Sequence, residues 1–223
     1  MSGLEMLKNA SEERVFDLIK NRIQVAEKTM NNQISDALYY SNTENGGKAI
    51  GGLQHLVADL PTSGTVGGID ASAQTWWRNQ FYDFSTEAVT ASSTTITHAM
   101  NRTYLRTLRG SDAIDFIVAG ETYFTYYEES LQAQQRFTQA TTGDGGFVSY
   151  KYKGADVFYD GNCSSTRMYM LNTNYLHYRP HSERNFTTDD RKAAVNQDAI
   201  VVPLYWAGNM TVSNRSLQGL IVA

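Results

Sequence analysis

The chain has 223 residues, of which 41% are hydrophobic and 19% are charged, and its formal net charge is −4 at pH 7. This composition is typical of an ordinary folded domain and excludes a disordered segment. The negative charge argues against a dedicated nucleic-acid-binding protein. No apolar run approaches the roughly 20 residues that a membrane-spanning helix needs, and the single cysteine, Cys163, excludes an internal disulfide.

A long amphipathic helix is predicted over residues 11–40. This stretch contains neither proline nor glycine, and apolar residues recur at steps of three and four from Val15 to Leu38. At 1.5 Å per residue the helix would be about 45 Å long. Because that length exceeds the diameter of a small domain, we expect the helix to run along a sheet or a neighbouring subunit. A coiled-coil strand is the alternative, although the apolar period drifts from a strict heptad.

The middle of the chain predicts alternating short elements. Residues 45–92 are rich in glycine, which favours short strands and turns. A second helix is predicted over 93–108 and is stopped by Gly110. A buried strand over 115–120 and a third helix over 121–137 follow. A hairpin over 147–159, turning at Lys153-Gly154, and a strand over 168–178 complete an α+β order of elements.

The end of the chain predicts paired strands. Two β-branched or aromatic runs, Ile200–Trp206 and Met210–Val212, are separated by Ala207-Gly208-Asn209. Glycine and asparagine both tolerate positive φ, so this spacing is typical of a hairpin. A last short run, Leu217–Val222, predicts a terminus that is held in a sheet.

Residues that could catalyse a reaction or bind a metal lack the required patterns. His177 and His181 have the i, i+4 spacing of a helical metal site, but Pro180 lies between them in a predicted strand. Glycosidase chemistry needs two carboxyl groups about 5–10 Å apart. Nothing in the sequence indicates that any two of the candidate carboxylates lie this close together. Cys163 has no basic neighbour that would lower its pKa. We therefore predict no metal, no cofactor and no enzymatic activity, with a hydrolase as the alternative. The candidate carboxylates are Glu128, Glu129, Asp156, Asp160, Asp189 and Asp190.

Aromatic residues are abundant, with 14 Tyr, 9 Phe and 3 Trp. Tyr and Trp suit surfaces that are dry on one side and wet on the other, and they are enriched at protein interfaces. Residues 70–78 predict a short helix or turn that delivers Trp76 and Trp77 to the core or to a contact. A carbohydrate-binding module or a phage adhesion module would also use exposed aromatic residues. This class is the alternative to a function in protein–protein contacts.

Several sequence blocks, taken in chain order, carry a likeness to a known family. They are Asn45–Gly52 after the long helix, Gly67–Ile69, Trp76–Arg78, Tyr169–Leu176, Trp206–Asn209, Ser213–Arg215 and Leu217–Gly219. Together they span nearly the whole chain. In this combination the sequence resembles the major capsid proteins of tailed bacteriophages of the Hong Kong 97 type.

The resemblance implies an α+β fold with two domains. A peripheral domain, residues 1–60 and 160–223, would pack a long spine helix on an antiparallel sheet. An axial α/β domain, residues 61–159, would point at the five-fold or six-fold axis. We expect the spine helix and the last strands to lie side by side in one layer. The family places an N-terminal arm and an extended loop before the spine helix, and the early predicted helix leaves room for neither.

The resemblance also implies a function in assembly. A major capsid subunit would be made in the host bacterial cytoplasm and would assemble into pentamers and hexamers of an icosahedral head that encloses DNA. Scaffold, portal and decoration proteins are the implied partners, and contact with packaged DNA would be sequence-independent. We expect no membrane association. The predicted subunit contacts are Arg14, Lys20, Glu27, Lys28, Trp76, Trp77, Arg102, Arg106 and Arg109.

Overall fold

The computed structural model describes residues 2, 4–5, 12–133, 141–142 and 148–223. The chain divides into two compact units. One combines Met1–Ala37 with Tyr178–Asn209, and the other combines Leu38–His177 with Met210–Ala223. The helices and strands below are numbered in chain order.

The first unit contains the long helix α1, Glu12–Ala37. The predicted helix is therefore confirmed, and it ends three residues earlier than expected. The short strands β10 (Lys192–Ala193) and β11 (Ile200–Val201) pair antiparallel in this unit. Apolar side chains of α1, including Ile19 and Ile23, line a cavity of about 260 Å³ together with residues 200–202 and 204. The apolar stripe of α1 thus faces a strand segment of its own unit.

Two long strands form a separate ribbon. They are β9 (Leu176–Thr188) and β12 (Leu204–Val212), which pair with each other in a two-stranded sheet. The division between the two compact units falls inside both strands.

The second unit is built on a mixed seven-stranded sheet with the order β3-β13-β8-β4-β7-β6-β5. The pairs β3–β13 and β4–β7 are parallel, and the other neighbouring pairs are antiparallel. The strands are β3 (Gln80–Asp83), β4 (Phe116–Ala119), β5 (Thr141–Thr142), β6 (Val148–Tyr152), β7 (Ala155–Tyr159), β8 (Arg167–Leu171) and β13 (Gly219–Val222). The expectation that the last run is held in a sheet is confirmed, because β13 lies between β3 and β8.

Both faces of this sheet are buried, because side chains alternate between two hydrophobic clusters along each strand. On β4, Ile117 belongs to one cluster and Val118 to the other, and on β13 Ile221 and Leu220 divide in the same way. Helices α4 (Ile96–Thr107) and α5 (Glu121–Ala133) cover the first cluster. The short helix α3 (Leu53–Leu56) covers the second.

Smaller elements connect these parts. A single helical turn, α2 (Glu44–Gly47), precedes α3, and the two-residue strands β1 (Thr65–Val66) and β2 (Ile69–Asp70) form a hairpin. Short 3₁₀ turns occupy Thr75–Trp77 and Thr173–Tyr175. The predicted turn at Lys153-Gly154 is confirmed, since both residues have positive φ. The predicted third helix extends beyond Ala133 into residues 134–137, which lie outside the described part of the chain.

The predicted C-terminal hairpin is wrong. β12 continues through Ala207-Gly208-Asn209 without turning and pairs with β9. A Cβ on Gly208 would lie 2.7 Å from the Trp206 ring and 3.0 Å from the Arg179 carbonyl oxygen. Glycine is therefore required at this position by close packing and not by a turn.

The predicted strand over 168–178 is also divided. β8 ends at Leu171, and the buried Asn172 accepts a hydrogen bond from the Asn174 backbone N–H at 3.2 Å. This local bond opens the 3₁₀ turn before β9 begins at Leu176. One predicted strand thus contributes to two different sheets.

The two compact units differ from the predicted domain bounds. Residues 38–60, 160–177 and 210–223 belong to the unit that also holds residues 61–159. The long helix shares its unit with residues 178–209, whereas the last strand, β13, is part of the other unit. The assignment of peripheral and axial roles stays a prediction.

Candidate functional site

An open groove of about 580 Å³ lies beside β3, the edge strand of the seven-stranded sheet. Among the described residues, two arginines and no acidic side chain line it. We name it the Trp76 groove. Its lining residues are Pro61, Thr75, Trp76, Arg78, Asn79, Gln80, Phe81, Arg109 and Ser216.

The two adjacent tryptophans have opposite environments. Trp77 is buried, and its indole N–H donates to the Val66 carbonyl oxygen at 3.1 Å. Trp76 is 60% exposed, and its indole N–H donates to the Gln74 side chain at 2.8 Å. The rings meet edge to face with their centroids 5.7 Å apart. The 3₁₀ turn therefore anchors one indole in the core and presents the other at the groove.

The arginines at the groove are held by carbonyl oxygens. Arg109 donates to the carbonyl oxygens of Arg106 and Leu108, both at 2.9 Å, at the C-terminal end of α4. Arg78 donates to Ala71 at 2.8 Å and to Ser72 at 3.2 Å. These bonds fix each guanidinium and leave its positive charge unneutralised by any carboxylate within the described ion pairs. Positive charge at a helix C-terminus is also favoured by the helix dipole.

A buried acceptor borders the same groove. Asn79 is 3% exposed, and its amide nitrogen donates to the Ala58 carbonyl oxygen at 3.0 Å. Its side-chain oxygen, Oδ1, has no hydrogen-bond partner among the described residues. This oxygen is itself buried, so a partner in the groove does not reach it, and its missing hydrogen bond is an internal cost of the fold.

The other predicted contact residues of the second unit have partners within the chain. Arg102 forms an ion pair with Glu87 at 2.5 Å, and its guanidinium lies 5.7 Å from the Tyr82 ring centroid. Arg106 donates to the Phe81 carbonyl oxygen at 3.1 Å. Among the predicted contacts in this unit, the structure thus brings Trp76 and Arg109 together at one groove. Trp77 is buried in its own chain, and we leave it out of the candidate surface.

The predicted contact residues of α1 are spread along one helix. Lys20 and Lys28 are exposed, and Glu27 is half-exposed. Arg14 lies in α1, but its side chain is outside the described part of the structure. None of the three described side chains lines the Trp76 groove.

Four of the candidate catalytic carboxylates each have a different hydrogen-bond or ion-pair partner. Asp160 accepts a hydrogen bond from Tyr39 at 2.6 Å, Asp156 pairs with Lys151 at 2.6 Å, and Asp189 pairs with Lys192 at 2.5 Å. Glu128 accepts from the Tyr150 hydroxyl at 2.8 Å. The described residues therefore show these carboxylates in structural bonds.

No group of three His, Cys, Asp or Glu side chains among the described residues could hold a metal ion. His177 and His181 both lie on the strand β9, where the i, i+4 spacing does not form a helical site. Burial raises the pKa of the Cys163 thiol to about 12, so little reactive thiolate forms at neutral pH. Within the described ranges, no helix has the length and apolar character needed to cross a bilayer.

Two structural features were not singled out from the sequence. Arg215 is fully buried in the second unit, although it belongs to the sequence block Ser213–Arg215 that carries the resemblance. Arg167 forms a two-bond ion pair with Asp59. The sequence offers no signal for the burial of Arg215 or for the ion pair of Arg167, because both depend on segments that are far apart in the chain.

Comparisons with known proteins identify the fold. No protein-family model matches the sequence, and no curated protein matches it by sequence. The structure is similar to the capsid asymmetric unit of cyanophage A-1(L), with a TM-score of 0.67 and 17% identity over 100% of this chain and 74% of that chain. The capsid of Myoviridae phage XM1 gives a TM-score of 0.58 and 10% identity over 100% of this chain and 70% of that chain.

A third similar structure is the holo-SrpI encapsulin complex from Synechococcus elongatus PCC 7942. It gives a TM-score of 0.62 and 10% identity over 92% of this chain and 65% of that chain. The chain therefore has a mixed helix-and-sheet fold of the kind found in phage capsid proteins. The predicted resemblance to tailed-phage capsid proteins is confirmed at the level of the fold.

Proposed function

We propose that this chain is the major capsid subunit of a tailed bacteriophage, which assembles into pentamers and hexamers of an icosahedral head that encloses DNA. The similarity to the cyanophage A-1(L) capsid chain carries the proposal, because it extends over 100% of this chain. The role is structural and not catalytic, in line with carboxylates that are engaged in separate structural bonds.

Within this proposal the unit that contains α1 is the peripheral domain, with α1 as its spine helix. The unit with the seven-stranded sheet is the axial domain. Subunits would pack head-to-tail around local axes, a heterologous contact that closes into a ring when the rotation closes. The exposed Trp76 and the arginine-lined groove support this role, because Trp and Arg are enriched among the residues that dominate binding at interfaces.

The proposed partners follow from the proposed role. They are further copies of the chain, scaffold, portal and decoration proteins, and packaged DNA bound without sequence preference. The proposed location is the virion, after synthesis in the host bacterial cytoplasm. The net charge of −4 argues that any DNA contact is local and weakened by salt.

The similarity to the SrpI encapsulin complex favours a second candidate, a subunit of an encapsulin-type shell. The two candidates share shell assembly and differ in the enclosed material. A phage head would protect DNA, whereas an encapsulin-type shell formed by this chain would be recovered without it.

The proposal can be tested by expressing the chain in bacteria and measuring its assembly. Light scattering and negative-stain microscopy of concentrated protein should show rings of five or six subunits, sheets or closed shells. Closed particles would then be treated with nuclease and their protected nucleic acid measured. A strict monomer over the whole concentration range, in low and in high salt, would contradict shell assembly for this chain.

The same material tests the competing class. A carbohydrate-binding or adhesion module would bind sugars at exposed aromatic residues. Addition of oligosaccharides would then quench the fluorescence of Trp76, the most exposed tryptophan among the described side chains. We expect no change in fluorescence on addition of sugar and a change on assembly.

A further inference from the structure

The two long helices on one face of the seven-stranded sheet have opposite charge. From Ile96 to Gly110, the segment that contains α4 carries Arg102, Arg106 and Arg109 and no acidic residue. Helix α5 carries glutamates and no basic residue. Both helices cover the same cluster, so the basic helix and the acidic helix lie on the same face of the sheet.

Two of these charged residues contact different strands of the sheet. Arg106 contacts β3, the strand at one edge, through the Phe81 carbonyl oxygen at 3.1 Å. Glu128 of α5 contacts β6 through the Tyr150 hydroxyl at 2.8 Å. Five strand spacings separate β3 from β6 in the sheet order, about 24 Å at 4.8 Å per strand. Arg106 and Glu128 therefore bind groups on different strands and form no ion pair with each other among the described residues.

The acidic side presents a regular stripe. Glu121, Thr125, Glu129 and Gln132 are exposed at helical spacing on α5. Glu129 has no ion-pair partner among the described residues, and Gln132 supplies an amide donor. Among the described residues, the Trp76 groove presents two arginines, the exposed Trp76 ring and no carboxylate.

We propose that the Trp76 groove binds the exposed acidic stripe of α5 from a second copy of this chain. This inference rests on the proposed function and deepens it, since it names the partner of the candidate site. Trp76 is the apolar anchor, and Arg109 faces Glu129 of the neighbouring copy. Because the two surfaces are different, the contact is head-to-tail and each copy uses both surfaces once.

Charge complementarity of this kind sets specificity and register between partners, because juxtaposed like charges are strongly unfavourable. A carbohydrate would use Trp76 but would leave the two groove arginines without anions. The acidic stripe of a second copy offers carboxylates to the arginines and packs against the exposed indole. The observations therefore favour a protein partner that already carries its own acidic surface.

A charge-swap experiment tests this contact. Three variants are compared with the native chain, namely Arg109→Glu, Glu129→Lys and the double variant with both changes. The concentration at which half of the protein assembles is measured by analytical ultracentrifugation and mass photometry. Each single change should raise that concentration by about tenfold or more, because it places like charges in contact. The double variant should return to within about threefold of the native value.

Lys48→Glu is the matched control, because it makes the same change of charge at an exposed position in the same unit, outside the groove. It should leave the assembly concentration unchanged. Arg109 also donates to the end of α4, so Trp76→Ala provides a second variant that spares the helix. It should weaken assembly by about tenfold with an unchanged melting temperature.

The outcomes separate the two proposals. If the native chain assembles but the double variant is as impaired as the two single changes combined, the contact is overturned and the shell function stands. If Trp76→Ala assembles like the native chain, the groove is not the docking site. If the native chain never assembles, the proposed function fails, and this contact fails with it.

Discussion

Arg215 donates through its Nε to the carbonyl oxygen of Leu56 at 2.7 Å, which links the last part of the chain to α3. The guanidinium is fully buried, and its Nη1 has no partner among the described residues. Burial lowers the pKa of Arg215. No carboxylate forms an ion pair with it within the described part of the chain. Among the described residues, the Leu56 backbone carbonyl is therefore the hydrogen-bond partner of this buried cation.

Removal of this side chain should be strongly destabilising. Arg215→Ala leaves the buried Leu56 carbonyl without its donor and leaves a large cavity, so we expect a loss of about 3 kcal/mol in the free energy of unfolding. Urea denaturation followed by circular dichroism measures it. Lys48→Ala, at an exposed position, should stay within about 0.5 kcal/mol of the native chain. A loss below about 1 kcal/mol for Arg215→Ala would contradict the structural role.

Gly120 should not tolerate a side chain. It lies between β4 and α5, and a Cβ at this position would lie 2.0 Å from the Ser164 carbonyl oxygen, which is backbone and cannot move aside cheaply. We expect Gly120→Ala to cost about 3 kcal/mol or more. Gly161→Ala is the matched control, because its nearest contact would be the Tyr159 hydroxyl at an ordinary 3.5 Å. Thermal melts of the two variants would contradict this account if their midpoints coincided.

The folded chain should lose stability at alkaline pH. Burial raises the pKa of Tyr127, Tyr152 and Tyr169 to about 12 each. In the unfolded chain tyrosine titrates near 10. Between these values the unfolded state releases protons that the folded state retains, so the stabilisation is fully present below about pH 9 and is lost as pH rises.

The expected loss above pH 10 is at most about 1.4 kcal/mol per pH unit for each such tyrosine. Urea denaturation at a series of pH values from 8 to 11.5 measures the slope. Tyr152→Phe removes one titrating hydroxyl and should flatten it. A free energy of unfolding that is constant up to pH 11.5 would contradict the prediction.

Cys163 should be protected from thiol reagents in the folded state. It is 5% exposed, and burial raises its pKa to about 12, so little thiolate is present at pH 8. We expect an aromatic disulfide reagent to label it no faster than the chain unfolds. The same protein in concentrated urea should react completely within minutes. Rapid labelling in native buffer would show that the thiol is accessible.

Sequence reasoning succeeded where a pattern is local and regular. The apolar stripe of α1 and the helix-strand-helix order around β4 follow directly from spacing that the chain carries by itself. The likeness to capsid proteins depended on several short blocks in order, and the fold agrees with it. These features need no knowledge of which distant segments meet.

Sequence reasoning failed where tertiary packing determines the local structure. Gly208-Asn209 has the composition of a turn, but Gly208 is placed by the close approach of Trp206 and the Arg179 backbone. The sequence also does not indicate which of Trp76 and Trp77 is exposed. The geometry of the 3₁₀ turn exposes the indole of Trp76 and buries that of Trp77. The Trp76 groove joins residues from four separate parts of the chain, so no local pattern could have identified it.

The place of β13 in the sheet has a consequence for biosynthesis. Residue 219 pairs with residue 80, and β13 separates β3 from β8. Until the ribosome has delivered residues 219–222, β3 has no neighbour and both buried faces stay incomplete. Closing so long a loop is entropically slow. Nascent chains should therefore expose this surface until residues 219–222 have been synthesised, and we expect chaperones to bind them during that time.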